Sequence, residues 1–330
     1  MKIARRRKPV ALVGLAGLLS ILAIVADSSR AQAWPVKPIR LVIGYTPGGA
    51  AEGTLRTFSQ KLEAMLGQQL VVEYKPGAGA TIGADFASKA APDGYTLHLI
   101  DNGPLTIVPA GKKVPYDPVK SFTFIGLVNV GGTVLMGHSS VPANTFDELV
   151  KLARAKPGSL SYGTSGIGGT GHMSGELFKS VAKLDIVHIP YKGGGPAMAE
   201  LLGGQIPLLF SSLTPAVPHI KSGKLKAYAV TSLGRSSAIP DVPSIAELGF
   251  PNFEAVTYFG LVGPAGLPRE IVAKTSDALL AVLKDKDVQE AIKKQGYEPM
   301  PSTPEVMAER IRSDLAKWTK VIKDVGITLE

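Results

Sequence analysis

Apolar positions along this chain switch between two spacings. Short, nearly continuous apolar runs (39–43, 70–73, 95–100) alternate with stripes spaced three and four residues apart, such as Leu55, Phe58, Leu62, Met65 and Leu66. The first kind predicts strands covered on both faces and the second predicts helices. The helical stripe stops at Gly67, in the position of a C-terminal glycine cap. Further strands are predicted over 122–130 and 134–136, separated by Gly131-Gly132, the first candidate hinge. The alternation then restarts. Thr145-Phe-Asp-Glu148 is a capping box opening a helix. Strands follow at 160–162, 186–189, 206–210 and 225–230, and the last two are expected to complete a second parallel set. Helices fall between them, lined by Met173, Leu177, Phe178 and Val181 in one case and covering 196–202 and 215–221 in the others. A returning aromatic strand at 253–262 leads to a helix starting after Pro268 and a final helix from Thr303-Pro304 through Trp318 and Ile322. Strands alternating with helices predict an α/β fold of two doubly wound domains with parallel sheets.

Three glycine loops follow a strand and open a helix: Thr46 to Glu52, Gly77 to Gly83, and Gly163 to Gly171. At such a turn the first amides of the helix lack internal partners and the helix dipole adds positive character, which suits a carboxylate or phosphate. Any one such loop is equally well a tight connection in a glycine-rich chain. Three, divided between two α/β halves, predict a cleft lined by backbone amides, at the strand ends where open α/β sheets bind ligands.

The N-terminus changes the setting. Lys2, Arg5, Arg6, Arg7 and Lys8 precede an apolar run from Val10 to Ala26, and Ala31-Gln32-Ala33 has the small-x-small form of a cleavage site. Residues 1–33 therefore read as an export signal cut after Ala33, leaving 297 of the 330 residues. A membrane anchor is the competing reading, but the apolar run is barely long enough to span. Six basic residues and one Asp in that segment account for +5 of the chain's +9, so the mature protein carries only +4. Without a Lys/Arg cluster, nucleic acid is not an expected partner. The chain has no cysteine, which removes disulfides, thiolate metal sites and cysteine nucleophiles from consideration.

Two enzyme readings compete for the glycine loops. The first turn, Gly44-Tyr-Thr-Pro-Gly-Gly49, lacks the G-x-G-x-x-G of dinucleotide sites, although Glu73 ends the second strand where a ribose contact belongs. Ser165 lies in a strand-to-helix turn near His172, yet Gly163-Thr-Ser-Gly-Ile167 breaks the nucleophile elbow at its last glycine. His172 then reads as a cleft-facing or capping residue in the first turn of its own helix. No pair among His98, His138, His172, His188 and His219 has metal-ligand spacing, so neither a metal nor a cofactor is expected. Tyr191 is the better candidate for a cleft wall than its neighbour Lys192, which reads as solvated.

Motifs spread from residue 34 to the C-terminal half resemble one family. They include Trp34-Pro-Val-Lys-Pro-Ile-Arg-Leu-Val42, Pro47-Gly-Gly49 with Arg56, Gly77-Ala-Gly79, Pro92-Asp-Gly-Tyr-Thr-Leu97 and Pro115-Tyr-Asp-Pro118. The loop Tyr162-Gly-Thr-Ser-Gly166 with His172, Val187-His-Ile-Pro-Tyr-Lys-Gly193, His219 to Lys226, Arg235 with Pro240-Asp-Val-Pro243, and Phe259 to Pro264 continue the likeness. Together they resemble the tripartite tricarboxylate transporter substrate-binding family, the Bug/TctC periplasmic receptors. The resemblance implies a Venus flytrap of the type II periplasmic-binding-protein kind, crossed twice by the chain. It divides the chain as 1–33 signal, 34–132 and 253–330 first domain, and 133–252 second domain. It implies a periplasmic, monomeric receptor for a small carboxylic acid (di- or tricarboxylate, amino acid or aromatic acid) that delivers to membrane permease subunits. By position, Tyr45, Thr46, Pro47, Gly48, Gly49 and Glu52 would contact the ligand from the first domain. Thr164, Ser165, Gly166, Thr170, His172 and Tyr191 would do so from the second. Two residues depart from the family's usual choice, Tyr45 where Phe is common and Glu52 where Asp is common. Glu52 is therefore open between meeting a ligand's amino group and capping its own helix. An exported hydrolase, or a receptor that partners a sensor instead of a transporter, are the remaining alternatives.

Overall fold

Ile39, Leu41, Val42 and Ile43 of strand β1 (Ile39–Ile43) are inaccessible to solvent, as a strand covered by helices on both faces requires. In the computed structural model, Met1, residues 34–191 and residues 193–329 are described. The export segment with its cleavage point after Ala33, and Lys192, lie outside the described residues. β2 (Leu70–Tyr74) and β3 (Thr96–Asp101) flank β1 in parallel register. Helix α1 (Ala50–Leu66) covers this unit with Leu55, Phe58, Leu62 and Leu66 and ends at left-handed Gly67. Met65, expected inward, faces solvent, because the buried stripe is centred on its neighbours one turn away. A 3-10 turn (Ala78–Ala80) and α2 (Thr81–Ser88) follow β2. A fully buried π-helical turn (Gly103–Ile107) and α3 (Val108–Gly111) follow β3, in a stretch where the apolar pattern predicted no element.

The largest departure from the predicted pattern is β4. Instead of two strands broken at Gly131-Gly132, Phe122–His138 is one strand of 17 residues. The glycines do not end it because they serve close approach: a Cβ on Gly131 would meet the Tyr297 ring at 2.7 Å, and one on Gly132 the Ser232 amide at 2.7 Å. What changes there is the pairing. Residues 122 to 132 run antiparallel to the returning strand β9 (Val256–Pro264), with Phe122 opposite Pro264 and Gly132 opposite Val256. Residues 133 to 138 pass between β7 (Leu208–Ser212) and β8 (Leu225–Val230), antiparallel to both.

That second half also contains α4 (Phe146–Ala155), β5 (Ser161–Thr164), α5 (Thr170–Ala182), β6 (Val187–Pro190), α6 (Gly194–Leu202) and α7 (Leu213–Lys221). The capping box at α4 forms: the Thr145 hydroxyl accepts the Glu148 N–H, and the Glu148 carboxylate accepts the Asn144 N–H at 2.6 Å. β5 pairs parallel with β6 and β7. The sheet is thus mixed, in the order β2-β1-β3-β9-β4-β7-β5-β6. β7 and β8 face β4 antiparallel because β4 enters as the continuation of an antiparallel ribbon. The return adds α8 (Arg269–Leu283), α9 (Lys286–Lys294), β10 (Glu298–Pro299) and α10 (Pro304–Val325). The sequence pattern missed α9, whose inward face is only Val288 and Ile292.

Two main cores result. One gathers Leu41, Phe58, Leu97 and Leu279 under the first half, and the other Phe146, Tyr162, Phe178 and Phe210 under the second. α10 serves both halves: Met307 and Ile311 pack beside β3 and β9 residues, whereas Trp318 and Ile322 enter the core of Phe146 and Phe178. Trp318 is 2% exposed. Trp318→Ala is expected to cost about 3–5 kcal/mol of unfolding free energy, read as a lowered urea midpoint.

Candidate functional site

The first glycine loop leaves β1 at Ile43 and enters α1 through Gly49, whose missing side chain leaves the helix N-terminus without a side-chain cap. Thr46, Pro47, Gly48 and Gly49 are exposed, and Gly48 adopts φ +83°, a left-handed conformation that glycine takes without strain. Glu52, in the first turn, folds back. Its carboxylate accepts the Gly48 N–H at 2.6 Å and pairs with the Arg56 guanidinium. The Gly48 N–H first, and Arg56 second, hold that carboxyl below the usual carboxylate range. Glu52 thus braces the loop through the residue before the N-cap and does not cap the helix itself.

Three loops converge. Gly44 packs on the second loop so closely that a Cβ there would stand 2.6 Å from the Ala80 Cβ. Across the cleft, the Ile167 carbonyl of the third loop lies 4.0 Å from the Cβ position of Gly79. Val108 Cγ2 touches both sides, 3.3 Å from the Cβ position of Gly79 and 3.1 Å from that of Gly168.

The third loop enters α5 through Gly169, again without a side-chain cap. Thr170, its first helical residue, accepts a hydrogen bond from the Thr257 hydroxyl of β9 at 2.8 Å. Ser165 is exposed, and its carbonyl accepts the Gly193 N–H at 3.1 Å. The Tyr191 N–H donates to the Thr164 carbonyl at 3.0 Å, which sets half-buried Tyr191 against the loop beside Gly166. The Thr164 side chain is buried, with its hydroxyl bonded to the Gly166 carbonyl at 3.1 Å and to His188 Nε2 at 2.7 Å. His172 Nδ1 accepts the Gly168 N–H at 3.3 Å, and its ring stacks on His188 at 4.2 Å, which stacks in turn on Tyr162 at 5.0 Å. Burial lowers the pKa of His172 and takes that of His188 down to about 4, so both imidazoles are neutral at pH 7. His172 thus fixes the loop as an acceptor. Among the described residues no hydrogen bond joins it to Ser165.

Three residues of this region escaped the sequence reading: Val108, Thr257 and Asp101. Asp101 ends β3 with 8% exposure, and its Oδ2 accepts the Tyr45 hydroxyl at 2.7 Å. Burial raises its carboxyl to about 6. The signal was present, an acid closing the otherwise apolar run Leu97 to Ile100, but only strand pairing places it under the first loop.

The sequence profile described as "Tripartite tricarboxylate transporter family receptor" matches residues 54–327. The chain belongs to this family. It is similar to Protein BugT of Bordetella pertussis, at 31% identity over 97% of this chain and 98% of that protein. Among solved structures it is similar to the periplasmic binding protein BugD, with a TM-score of 0.82 and 34% identity, covering 89% of this chain and 99% of that one. An R. palustris protein solved with adipate gives a TM-score of 0.84 at 30% identity, covering 89% of this chain and 99% of that one. The fold is that of the type II periplasmic binding proteins. As a Bug/TctC protein, the chain is a periplasmic solute-binding receptor and not an enzyme.

The buried acid of this receptor carries a stability signature. Because the folded pKa of Asp101 lies above its ordinary value of 3.8, the native state holds that proton more tightly than the unfolded chain does. Its contribution is fully present below about pH 4 and is lost as pH rises towards 6. Asp101→Asn keeps an acceptor for Tyr45 and removes the charge. It is expected to be more stable than wild type by about 2–3 kcal/mol at pH 8, with the gap closing towards pH 4, as followed by denaturant unfolding across that range.

Proposed function

We propose that this receptor clamps a small carboxylic acid between two domains, 34–132 with 253–330 on one side and 133–252 on the other, after export and cleavage behind Ala33. The observation that carries the reading is the pair of helix N-termini without a side-chain cap, α1 behind Gly49 and α5 behind Gly169, whose glycine loops both pack against the second glycine loop. Amides at such termini are ready donors for a carboxylate, and the two helix dipoles favour its charge. Thr46, Pro47, Gly48 and Gly49 face the ligand from one side, and Ser165, Gly166, Thr170 and Tyr191 from the other. Tyr45, Glu52, Thr164 and His172 belong to the same site and keep the loops in shape through the bonds described above. The adipate carried by a relative of this fold supports a carboxylate ligand.

Binding to both halves gives the ligand a higher affinity for the closed form, so closure follows from occupancy. The closed monomer then delivers to the permease subunits of a tripartite tricarboxylate-type transporter. α10, packed on both cores, moves with whichever half holds it more firmly.

A thermal-shift screen of mono-, di- and aromatic carboxylates tests the reading. A true ligand at a hundred times its Kd stabilises the fold by about 2.7 kcal/mol and raises the Tm. Gly49→Leu discriminates the site: the Cβ meets nothing nearer than the Thr46 carbonyl at 3.7 Å, so folding is preserved while the side chain covers the amide seat. Loss of the ligand-induced shift with an unchanged apo Tm is expected. A normal shift in this variant places the acid elsewhere.

A further inference from the structure

We propose that ligand capture by this receptor is proton-linked through Asp101, which takes up a proton when a carboxylate seats on the first glycine loop. This rests on the receptor reading given above and adds to it the charge of the complex.

Geometry joins Asp101 to the seat through Tyr45. It closes β3, in register opposite Phe259 of β9, and Tyr45, which holds its Oδ2, is the residue immediately before Thr46. Its other oxygen, Oδ1, is buried without a hydrogen-bond partner, and so is Oδ1 of the adjoining Asn102, whose amide nitrogen is spent on the Val256 carbonyl at 3.0 Å. A charged oxygen buried without a donor costs free energy, and protonating Asp101 removes that charge.

The surroundings offer nothing else to neutralise the carboxylate. Tyr45 faces it from the loop after β1, Tyr116 from the segment before β4, and Tyr297 from the segment before β10. The Gly103 N–H faces it from the π-helical turn, and β9 supplies only the Phe259 ring. All of these are neutral at physiological pH, and among the described residues no cation acts on Asp101. His98 of the same strand lies an odd number of residues away, on the opposite face, bonded to the Val42 carbonyl. The paired charges of the first loop, Glu52 and Arg56, cancel each other.

A carboxylate placed on the loop amides brings a second negative charge within a few residues' breadth of the first, across a protein interior of low dielectric. Repulsion at such separations changes a proton affinity by about tenfold. Because burial already poises Asp101 near pH 6, that change falls within the range where the group responds. A solvent proton goes to the carboxylate, Tyr45 goes on donating, and the site gains one ligand anion and one proton together. Affinity consequently rises as pH falls from 8 towards 6, and a second ligand charge near Asp101 is selected against at the higher pH.

The test is isothermal titration calorimetry over pH 6–8 in buffers of different ionisation enthalpy. The probe is the tightest binder among lactate, malate, adipate and benzoate, whose carboxyls are ionised over most of that window. Wild type is expected to take up a fraction of a proton per ligand near pH 7 and to bind about fivefold more weakly at pH 8 than at pH 6. Asp101→Asn is expected to bind without proton uptake and without that slope. Tyr45→Phe removes the donor that favours the ionised acid, so its affinity profile should shift to higher pH. Binding without proton uptake in wild type, or uptake retained in Asp101→Asn, overturns the proposal and leaves the receptor reading standing. Should Asp101→Asn not fold, an unshifted Tyr45→Phe profile overturns it. If none of the four acids binds at either end of the range, the carboxylate-receptor reading falls and the proton linkage with it.

Discussion

The antiparallel pairing of β4 with β9 is the constraint on which the rest of the molecule hangs. Every chain crossing between the two halves of the sheet passes through this ribbon, save for the packing of α10. Side-chain hydroxyls then tie it to the ligand loops. The Thr133 N–H donates to the Thr231 hydroxyl at 2.7 Å, which itself donates to the Ala255 carbonyl at 2.6 Å. Thr133 also bonds Ser174 of α5 at 3.0 Å, and Thr257 bonds Thr170 at its N-terminus. The helix that presents the third loop is thereby fixed to both crossing strands. A second bridge lies behind the first loop: the Gln295 side-chain N–H donates to the Gly53 carbonyl of α1 at 2.9 Å, and the Gln295 backbone carbonyl accepts the Thr214 hydroxyl of α7 at 2.7 Å. Buried hydrogen bonds of this kind are expensive to break singly, so the ribbon and the helices beside it are held in a fixed relation.

Electrostatically the candidate site carries little uncompensated side-chain charge. Its ionisable side chains are neutral or already satisfied: His172 and His188 are held neutral by burial, Glu52 is compensated by Arg56 and the Gly48 N–H, and Asp101 is poised near its own titration. The positive potential comes from helix termini, which are fixed dipoles and need no side-chain ordering when a ligand arrives.

Much of this was legible in the linear pattern. The glycine loops, the strand and helix order, the Thr145 capping box and the buried face of α1 all follow from local rules of spacing and backbone freedom. The dinucleotide alternative also fell on local grounds, a missing glycine pattern, whereas the hydrolase alternative survived its broken elbow and fell only with the family. Elsewhere the pattern misled for a physical reason. Gly131-Gly132 has the composition of a break, yet in β4 it provides room for Tyr297 and Ser232, neighbours far away in the chain. β7 and β8 do run in one direction, with β7 parallel to β5 as expected, but β4 lies antiparallel between them, which no local pattern announces. Helix α9 was lost because two buried residues are too few to mark a stripe.

What the sequence determined by itself, then, is an exported α/β chain with helix N-termini left open by glycine, because those properties are set by neighbours within a few positions. The tertiary structure decided which groups those termini meet. Tyr45 and Asp101 are separated by 56 positions and Thr170 and Thr257 by 87, and each pair joins only when segments far apart in the chain lie side by side. It also decided the roles of residues that composition cannot rank, sending Glu52 to brace its loop and burying Asp101 beneath it, since burial and hydrogen-bond partnership are properties of the packed chain and not of the residue.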